Sequence, residues 1–362
     1  MATKFMTDAK ENHSDEFYTQ LSDIEKELRY YKKQFENKII FCNCDDPYES
    51  NFFKYFALNF NSLKIKKLIC TCYEGSPSVT EQLSLFDING LVVKKETPKV
   101  PYKIEINEVY DINKDGAIDL QDIMEQIKSN KNNTITLLKG DGDFRSNECK
   151  SLLKESDIIV TNPPFSLFRD FISLMNKYKK QFLIIGNTNA LTYKETFKLF
   201  KEDKIRTGYT NFNIGMYFFV PDYYEKYHKI VNGKKMVRVA TSCWFTNLNV
   251  SKHNEFLILY KNYNENEYPK YDNYDAINVR TYTEIPNDYK GVMGVPITFL
   301  DKYNPKQFNL LGMASSASYN KEIVGIPFLG NKDARPLING KNTYARIFII
   351  AACQKGDEKN EK

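Results

Sequence analysis

The sequence predicts an α/β fold built on a mostly parallel sheet, followed by a smaller loop-rich region. Three observations carry this. Strand–helix–strand order recurs: Lys38–Cys44, a helix over Glu49–Phe60 and Lys67–Tyr73 form one βαβ unit, and Asp157–Thr161, Leu167–Tyr178 and Gln181–Gly186 form another. The strand runs are almost wholly apolar, as in strands covered on both faces. After about Tyr260 the pattern changes: residues 261–275 (KNYNENEYPKYDNYD) are polar, Tyr-rich and aperiodic.

Taken in order, residues 1–14 are polar and expected to be loose. From Asp15 to Lys33, Phe17, Leu21, Ile24, Leu28 and Tyr31 recur at helical spacing. After the first βαβ unit, Val100–Val109 alternates like an edge strand, and Leu120–Lys128 reads as a helix. Thr134–Lys139 is a strand that ends in Gly140-Asp141-Gly142-Asp143-Phe144. Tyr193–Phe200 reads as a helix, and Asn211–Val220 with Val237–Thr246 as an antiparallel pair of long strands. The expected division is a flexible start over 1–14, a first domain over 15–260, a second region over 261–350 and a polar tail over 351–362.

Composition excludes more than it proposes. The chain has 51 Lys and Arg against 46 Asp and Glu, a net charge of +5, which permits a polyanion partner without requiring one. His13, His228 and His253 stand in no metal-site or triad spacing. The seven Cys are odd in number and no signal peptide precedes them, so reduced thiols and a cytoplasmic location are expected. Ile347–Cys353 is far shorter than the roughly 20 residues of a membrane span, so no membrane partner is expected.

The segment Asp157–Phe165 carries chemistry. Its strand stops at Asn162-Pro163-Pro164-Phe165, and a double proline both removes ladder donors and forces the preceding residue into extended geometry. Asn162 is thus held at the carboxyl end of a parallel strand, where open α/β sheets bind ligands. The Asn162 side-chain carbonyl and the Pro163 carbonyl can accept both hydrogens of one planar amino group. That localises the nitrogen lone pair without prior deprotonation, and Phe165 offers a stacking face worth about 1–3 kcal/mol for a base. About 20 residues upstream, Asp141 or Asp143 can accept from an adenine amino group while Phe144 packs on its ring. The plain structural alternatives are a Pro-Pro strand terminator and a Gly-Asp turn. On the motif alone, the amino group could belong to adenine, cytosine, an RNA base or a protein amide.

Together, Asn162–Phe165, Gly140–Phe144, Phe41-Cys-Asn-Cys-Asp-Asp-Pro47, Asp15-Glu-Phe-Tyr-Thr19, Tyr268–Ile277 and Gly291–Pro305 resemble adenine-specific DNA methyltransferases of the EcoRI modification-enzyme type. The likeness runs from about 15 to 350. It implies a class I S-adenosylmethionine-dependent methyltransferase, Rossmann-like, with a mostly parallel seven-stranded sheet and a C-terminal target-recognition region. It further implies S-adenosylmethionine as methyl donor and double-stranded DNA as partner, with the target adenine flipped out of the duplex by a monomeric enzyme. By the resemblance, Asn162, Pro163, Pro164 and Phe165 hold the target base. Asp141, Asp143 and Phe144 hold the donor's adenine, Phe17, Tyr18 and Thr19 lie near its methionine end, and Cys44, Asp45, Asp46 and Pro47 pass beneath it. The usual Gly-x-Gly after the first strand is absent, and Glu74 is the nearest acidic candidate for the ribose. Arg280, Arg335 and Lys341 are the candidates for DNA contact in the last region.

Two further patterns compete. Asp111, Asn113, Asp115, Asp119 and Asp122, with Gly116, fit a calcium loop, though an Asx-rich turn capping the next helix explains them without metal. Cys42, Cys44, Cys70 and Cys72 end neighbouring strands and read as buried reduced thiols in place of a zinc site. No metal is expected. The rivals to an enzyme are a nucleic-acid-binding protein that keeps the fold and a calcium-responsive interaction protein.

Overall fold

The computed structural model describes residues 17–44, 47, 50–73, 101–129, 132–220, 222, 224–315, 321–329 and 334–352. In chain order, β1 (Tyr18–Thr19) leads into α1 (Leu21–Leu28) and the short α2 (Lys32–Phe35). Then come β2 (Ile39–Cys42), α3 (Asn51–Leu58), β3 (Lys67–Thr71), β4 (Tyr102–Ile106), α4 (Leu120–Ser129), β5 (Thr134–Leu137), α5 (Asn147–Glu155), β6 (Ile158–Thr161), α6 (Phe168–Lys177), β7 (Gln181–Asn187), α7 (Lys194–Lys201) and β8 (Arg206–Thr207). The remainder is strand-rich: β9 (Met216–Phe219), β10 (Lys229–Val231), β11 (Lys234–Val239), β12 (Ser242–Thr246), β13 (Ile277–Asn278), β14 (Met293–Pro296), β15 (Phe308–Ala314), α8 (Lys321–Val324), β16 (Leu337–Ile338), β17 (Lys341–Asn342) and β18 (Arg346–Ala351). Among the described residues no helix is long and apolar enough to cross a membrane.

The chain forms two compact units, one from residues up to 187 with 213–248, the other from 188–212 with 249 onward. This differs from the expected single boundary at 260, which followed composition. Residues 188–212 belong with the second unit because of partners that composition cannot show. Lys201 Nζ donates to the Leu311 carbonyl at 2.9 Å, and the buried His253 ring bonds to Thr207 and to the Tyr303 carbonyl.

In the first unit the large sheet runs β5-β4-β3-β2-β6-β7-β12. Pairings β3–β2, β2–β6 and β6–β7 are parallel; β5–β4, β4–β3 and β7–β12 are antiparallel. The expected mostly parallel order thus holds in the central four strands. The Ile-Ile-Val-Thr sequence of β6 is buried throughout, which is why it reads as an unbroken apolar run. Helix α6 buries Phe168, Phe171, Ile172 and Met175, one face at i, i+3, i+4, i+7. It lies so close to β7 that a Cβ on Gly186 would come within 2.3 Å of the Phe168 ring. Ser50 caps α3 by accepting from the backbone N–H groups of Phe52 and Phe53.

Three sequence expectations change. The Val100–Val109 run becomes β4, paired on both sides; it alternates because Lys103 and Glu105 point to the half-covered face, where Lys67, Lys103, Glu105 and Glu155 form ion pairs. The helix expected from Asp15 begins at Leu21, because Tyr18 and Thr19 pair with Phe219 and Phe218 instead. The long pair expected over Asn211–Val220 and Val237–Thr246 falls instead on three strands, β9, β11 and β12. Asn211, Asn213 and Gly215 take positive φ and form a turn before Met216; β11 pairs with β9, while β12 pairs with β7. Strands β9 and β11 form a separate antiparallel sheet with β1 and β10, in the order β1-β9-β11-β10.

The second unit is built on the sheet β13-β14-β18-β15. Its core holds Tyr271, Tyr274, Ala276, Ala314, Val324 and Phe348. The hairpin of β16 and β17 turns at Asn339-Gly340, both at positive φ, with the Asp272 carboxylate accepting from both backbone N–H groups. Of the expected tail, Ala351 closes β18; residues 353–362, like 1–14, lie outside the described residues.

Candidate active site

The loop after β6 is fixed from three directions. Asn162 is buried, and its Nδ2 donates to the Phe17 carbonyl at 2.6 Å. The preceding Thr161 Oγ1 accepts from the Cys44 backbone N–H at 3.2 Å, which ties this loop to the one after β2. Phe165 is buried, stacks on Phe17 with ring centroids 5.5 Å apart and 25° between planes, and meets Phe218 edge-on at 6.2 Å. Phe218 and Tyr224 also contact Phe17, at 5.6 and 6.3 Å. Asn51 anchors β1 by donating to the Thr19 carbonyl at 2.7 Å.

The loop after β5 is built differently. Asp141 Oδ1 accepts from the Asp143 backbone N–H, and Asp143 accepts from the backbone and guanidinium of Arg145, closest at 2.7 Å. Burial pushes the Asp143 carboxyl up, but Arg145 and the backbone N–H reverse this and hold it below the ordinary carboxylate range. Phe144 is buried edge-on against Phe171, and Arg145 lies over its outer face and reaches Asp170 at 3.3 Å. Both contacts join this loop to α6. Gly142 has φ +76°, and a Cβ there would lie 2.1 Å from the Cys72 carbonyl oxygen, so the loop presses against the end of β3 as only glycine allows. Among the described residues, the Thr19 and Thr71 hydroxyls, at the ends of β1 and β3, are buried without a hydrogen-bond partner.

The predicted residues therefore divide. Asn162, Pro163, Phe165, Phe17, Tyr18, Thr19, Cys44 and the buried Pro47 belong to the loops and strand around the β6 terminus; Pro164 leads into the turn that starts α6. Asp141, Asp143 and Phe144 form the β5 loop. Asp45, Asp46 and Glu74 lie outside the described residues. In the second unit Arg280 is exposed, lies 3.4 Å from the Glu284 carboxylate, and lines a polar recess with Lys261, Glu267, Tyr268 and Asn278. Lys341 is exposed on β17, and Arg335 is half-buried just before β16. Tyr268, Tyr271 and Tyr274 are core residues whose hydroxyls donate to Glu284 O, Asn278 Oδ1 and Ala334 O.

Sequence reasoning missed Arg145, Phe218 and Tyr224. The scarcity of Arg, eight in the chain, was the one usable signal for Arg145. Acids 111–122 act as an Asx-rich turn: Asp111 accepts from Lys114 and Gly116 N–H, Asp122 from Ile112 and Asp119, and Asp119 from Gln121. Among the described residues no group of three His, Cys, Asp or Glu converges to hold a metal ion. Cys42, Cys70 and Cys72 are buried, Cys44 is half-buried, and none of the six described cysteines forms a disulfide.

The family model of the adenine-specific methyltransferase EcoRI matches residues 5–351. The chain belongs to this family. It is a DNA adenine methyltransferase. It is 44% identical over 354 residues to the type II methyltransferase M.EcoRI of Escherichia coli, covering 96% of each chain. It is 38% identical over 353 residues to M.MgeORF184P of Mycoplasma genitalium, covering 94% of this chain and 96% of that one. It is also 38% identical over 311 residues to M.MpnI of Mycoplasma pneumoniae, covering 84% and 83%. No solved structure matches the chain.

Proposed function

We propose that this adenine methyltransferase acts as a monomer on duplex DNA in a type II restriction–modification setting, and that it works on an adenine turned out of the helix and held by the loop after β6. The observation that carries this is the bond from Asn162 Nδ2 to the Phe17 carbonyl. It sets the rotation of the side-chain amide, so the acceptor Oδ1 faces away from Phe17. Oδ1 and the Pro163 carbonyl then take the two hydrogens of the target amino group. Phe17 backs one face of the Phe165 ring, and the base stacks on the other. The gain comes from holding the amino nitrogen in line and localising its lone pair, a positioning effect. The amino proton leaves with or after transfer, to water.

The donor reading rests on fit. The buried Thr19 and Thr71 hydroxyls lack protein partners, and the Gly142 backbone approaches the end of β3 more closely than a side chain permits. Those features suit a polar ligand lying across the carboxyl ends of β2, β3 and β5. S-adenosylmethionine, when bound, supplies an electrophilic methyl group on a sulfonium. Asp141, Phe144 and Gly142 would take its adenine, and Thr19 its methionine end. The parallel order β3-β2-β6-β7 with ligand loops at the carboxyl ends supports a class I, Rossmann-like assignment.

The test is Asn162→Ala. Methyl transfer to DNA, followed with tritiated donor, should fall by a factor on the order of 10²–10³, as when one preorganised polar contact is removed from a transition state. Donor affinity measured by calorimetry should stay close to that of the unaltered enzyme. Retained transfer would sink the assignment.

A further inference from the structure

The sheet β1-β9-β11-β10 has two unlike faces. Register places Phe218, Val237, Met216 and Val239 on one face, and Phe218 meets Phe165 there. On the other face Tyr217 stands opposite Arg238, and Lys229 stands opposite Met236. Lys229 Nζ lies 5.0 Å from the centre of the Tyr217 ring, and Arg238 Cζ lies 6.0 Å from it. Residues 226–238 (KYHKIVNGKKMVR) contain five Lys and Arg and no carboxylate, in a chain whose whole net charge is +5. Among the described residues no carboxylate pairs with Lys229 or Arg238, and both are exposed. Arg238 also donates to the Ile214 carbonyl at 3.0 Å, which holds the turn before β9.

We propose that this outer face binds the phosphate backbone of duplex DNA beside the target base. The inference rests on the catalytic reading above and extends DNA contact to a surface apart from Arg280, Arg335 and Lys341. Two exposed cations flanking a half-buried tyrosine on one sheet face form a phosphate-contact pattern: they fix register and orientation and carry no base information. The inner face of the same sheet packs on Phe165, so the phosphates would be positioned by the element that also shapes the base site. A net charge of +5 permits such a contact, since Lys229 and Arg238 bring two exposed cations to one face.

The experiment measures binding of a labelled duplex of about 30 base pairs between about 50 and 200 mM salt, with the full chain. Each lost phosphate contact should lower the slope of log K against log salt by about 0.9. Lys229→Gln should lower it by one such step at unchanged melting temperature and donor affinity, and Lys229→Gln with Arg238→Gln should lower it by two. The single variant removes only a ring contact, so it reads out even if the double variant folds poorly. Lys128→Gln, on an exposed position of α4, should leave the slope alone. An unchanged slope in the Lys229 and Arg238 variants of a methylating enzyme, or an equal drop in Lys128→Gln, would overturn the surface and leave the catalytic reading standing. The expected slope changes in a protein that transfers no methyl group would support the surface and sink the catalytic reading.

Discussion

The two strand-end loops of the first unit are held in opposite ways. The loop after β6 is assembled from afar: Asn162 hangs on Phe17, and Phe165 joins Phe17 and Phe218 in a three-ring cluster. The loop after β5 closes mostly on itself, through Asp141 to Asp143 and Asp143 to Arg145. The difference shows where each is vulnerable. A site gathered from distant segments has its closure entropy offset by the whole fold, so it should respond to changes in β1 and β9. A locally closed loop should respond to its own backbone and its own charges.

The largest expected effect breaks the distant support. Phe17→Ala removes a buried ring from the aromatic cluster and should destabilise the protein by about 3–5 kcal/mol, read from the urea midpoint. The tether to Asn162 uses the backbone of residue 17 and survives the substitution. Phe165 loses its backing, so methyl transfer by the folded variant should fall about tenfold, the equivalent of roughly 1.4 kcal/mol in the barrier. Full activity in the folded variant would show that the β6 loop does not depend on this support.

A smaller effect should come from the local loop. Gly142→Ala places a Cβ at positive φ and against the Cys72 carbonyl, at a cost of about 1–3 kcal/mol from the backbone conformation alone. Donor affinity should weaken along with stability. Gly140→Ala is the internal control, since a Cβ there meets nothing within 4 Å. Equal behaviour of the two variants would refute the close approach at Gly142.

The same contrast explains what was legible in the sequence. Local features could be read: β6 was expected over Asp157–Thr161 and runs Ile158–Thr161, because its pattern and its Pro-Pro stop are contiguous. The helix expected over Leu120–Lys128 runs Leu120–Ser129 for the same reason. Long-range pairing could not be read. Tyr18 and Thr19 fall within the stretch that the spacing of Phe17, Leu21 and Ile24 marks as helix, yet Phe219 and Phe218 across the chain recruit them into a sheet. Tyr271 and Tyr274 sit in a polar, Tyr-rich segment whose lack of periodicity gives no sign of a core, yet both rings pack on Phe348. Asn162 is legible from its motif; the Phe17 carbonyl that orients it is not, because nothing near residue 162 encodes it.

Acid should separate the two loops with the smallest effect. The loop Asn162-Pro163-Pro164-Phe165 has no titratable side chain, whereas the β5 loop depends on Asp143. Burial raises the Asp143 carboxyl, Arg145 and its backbone N–H lower it further, and the net direction is down. The unfolded chain therefore takes up the proton first as pH falls. The stabilisation is complete above the unfolded value, near 3.9, and is lost as pH drops through the folded value. Arg145 is nearly half exposed, so solvent screening limits the gain to about 0.2–1 kcal/mol. Urea midpoints for the unaltered protein and Asp143→Asn, followed from about pH 5 down to about pH 2, should differ at the upper end and converge at the lower. A gap that stays constant with pH would mean that the carboxylate supports the loop through geometry alone, and the two loops would then differ in reach but not in their response to charge.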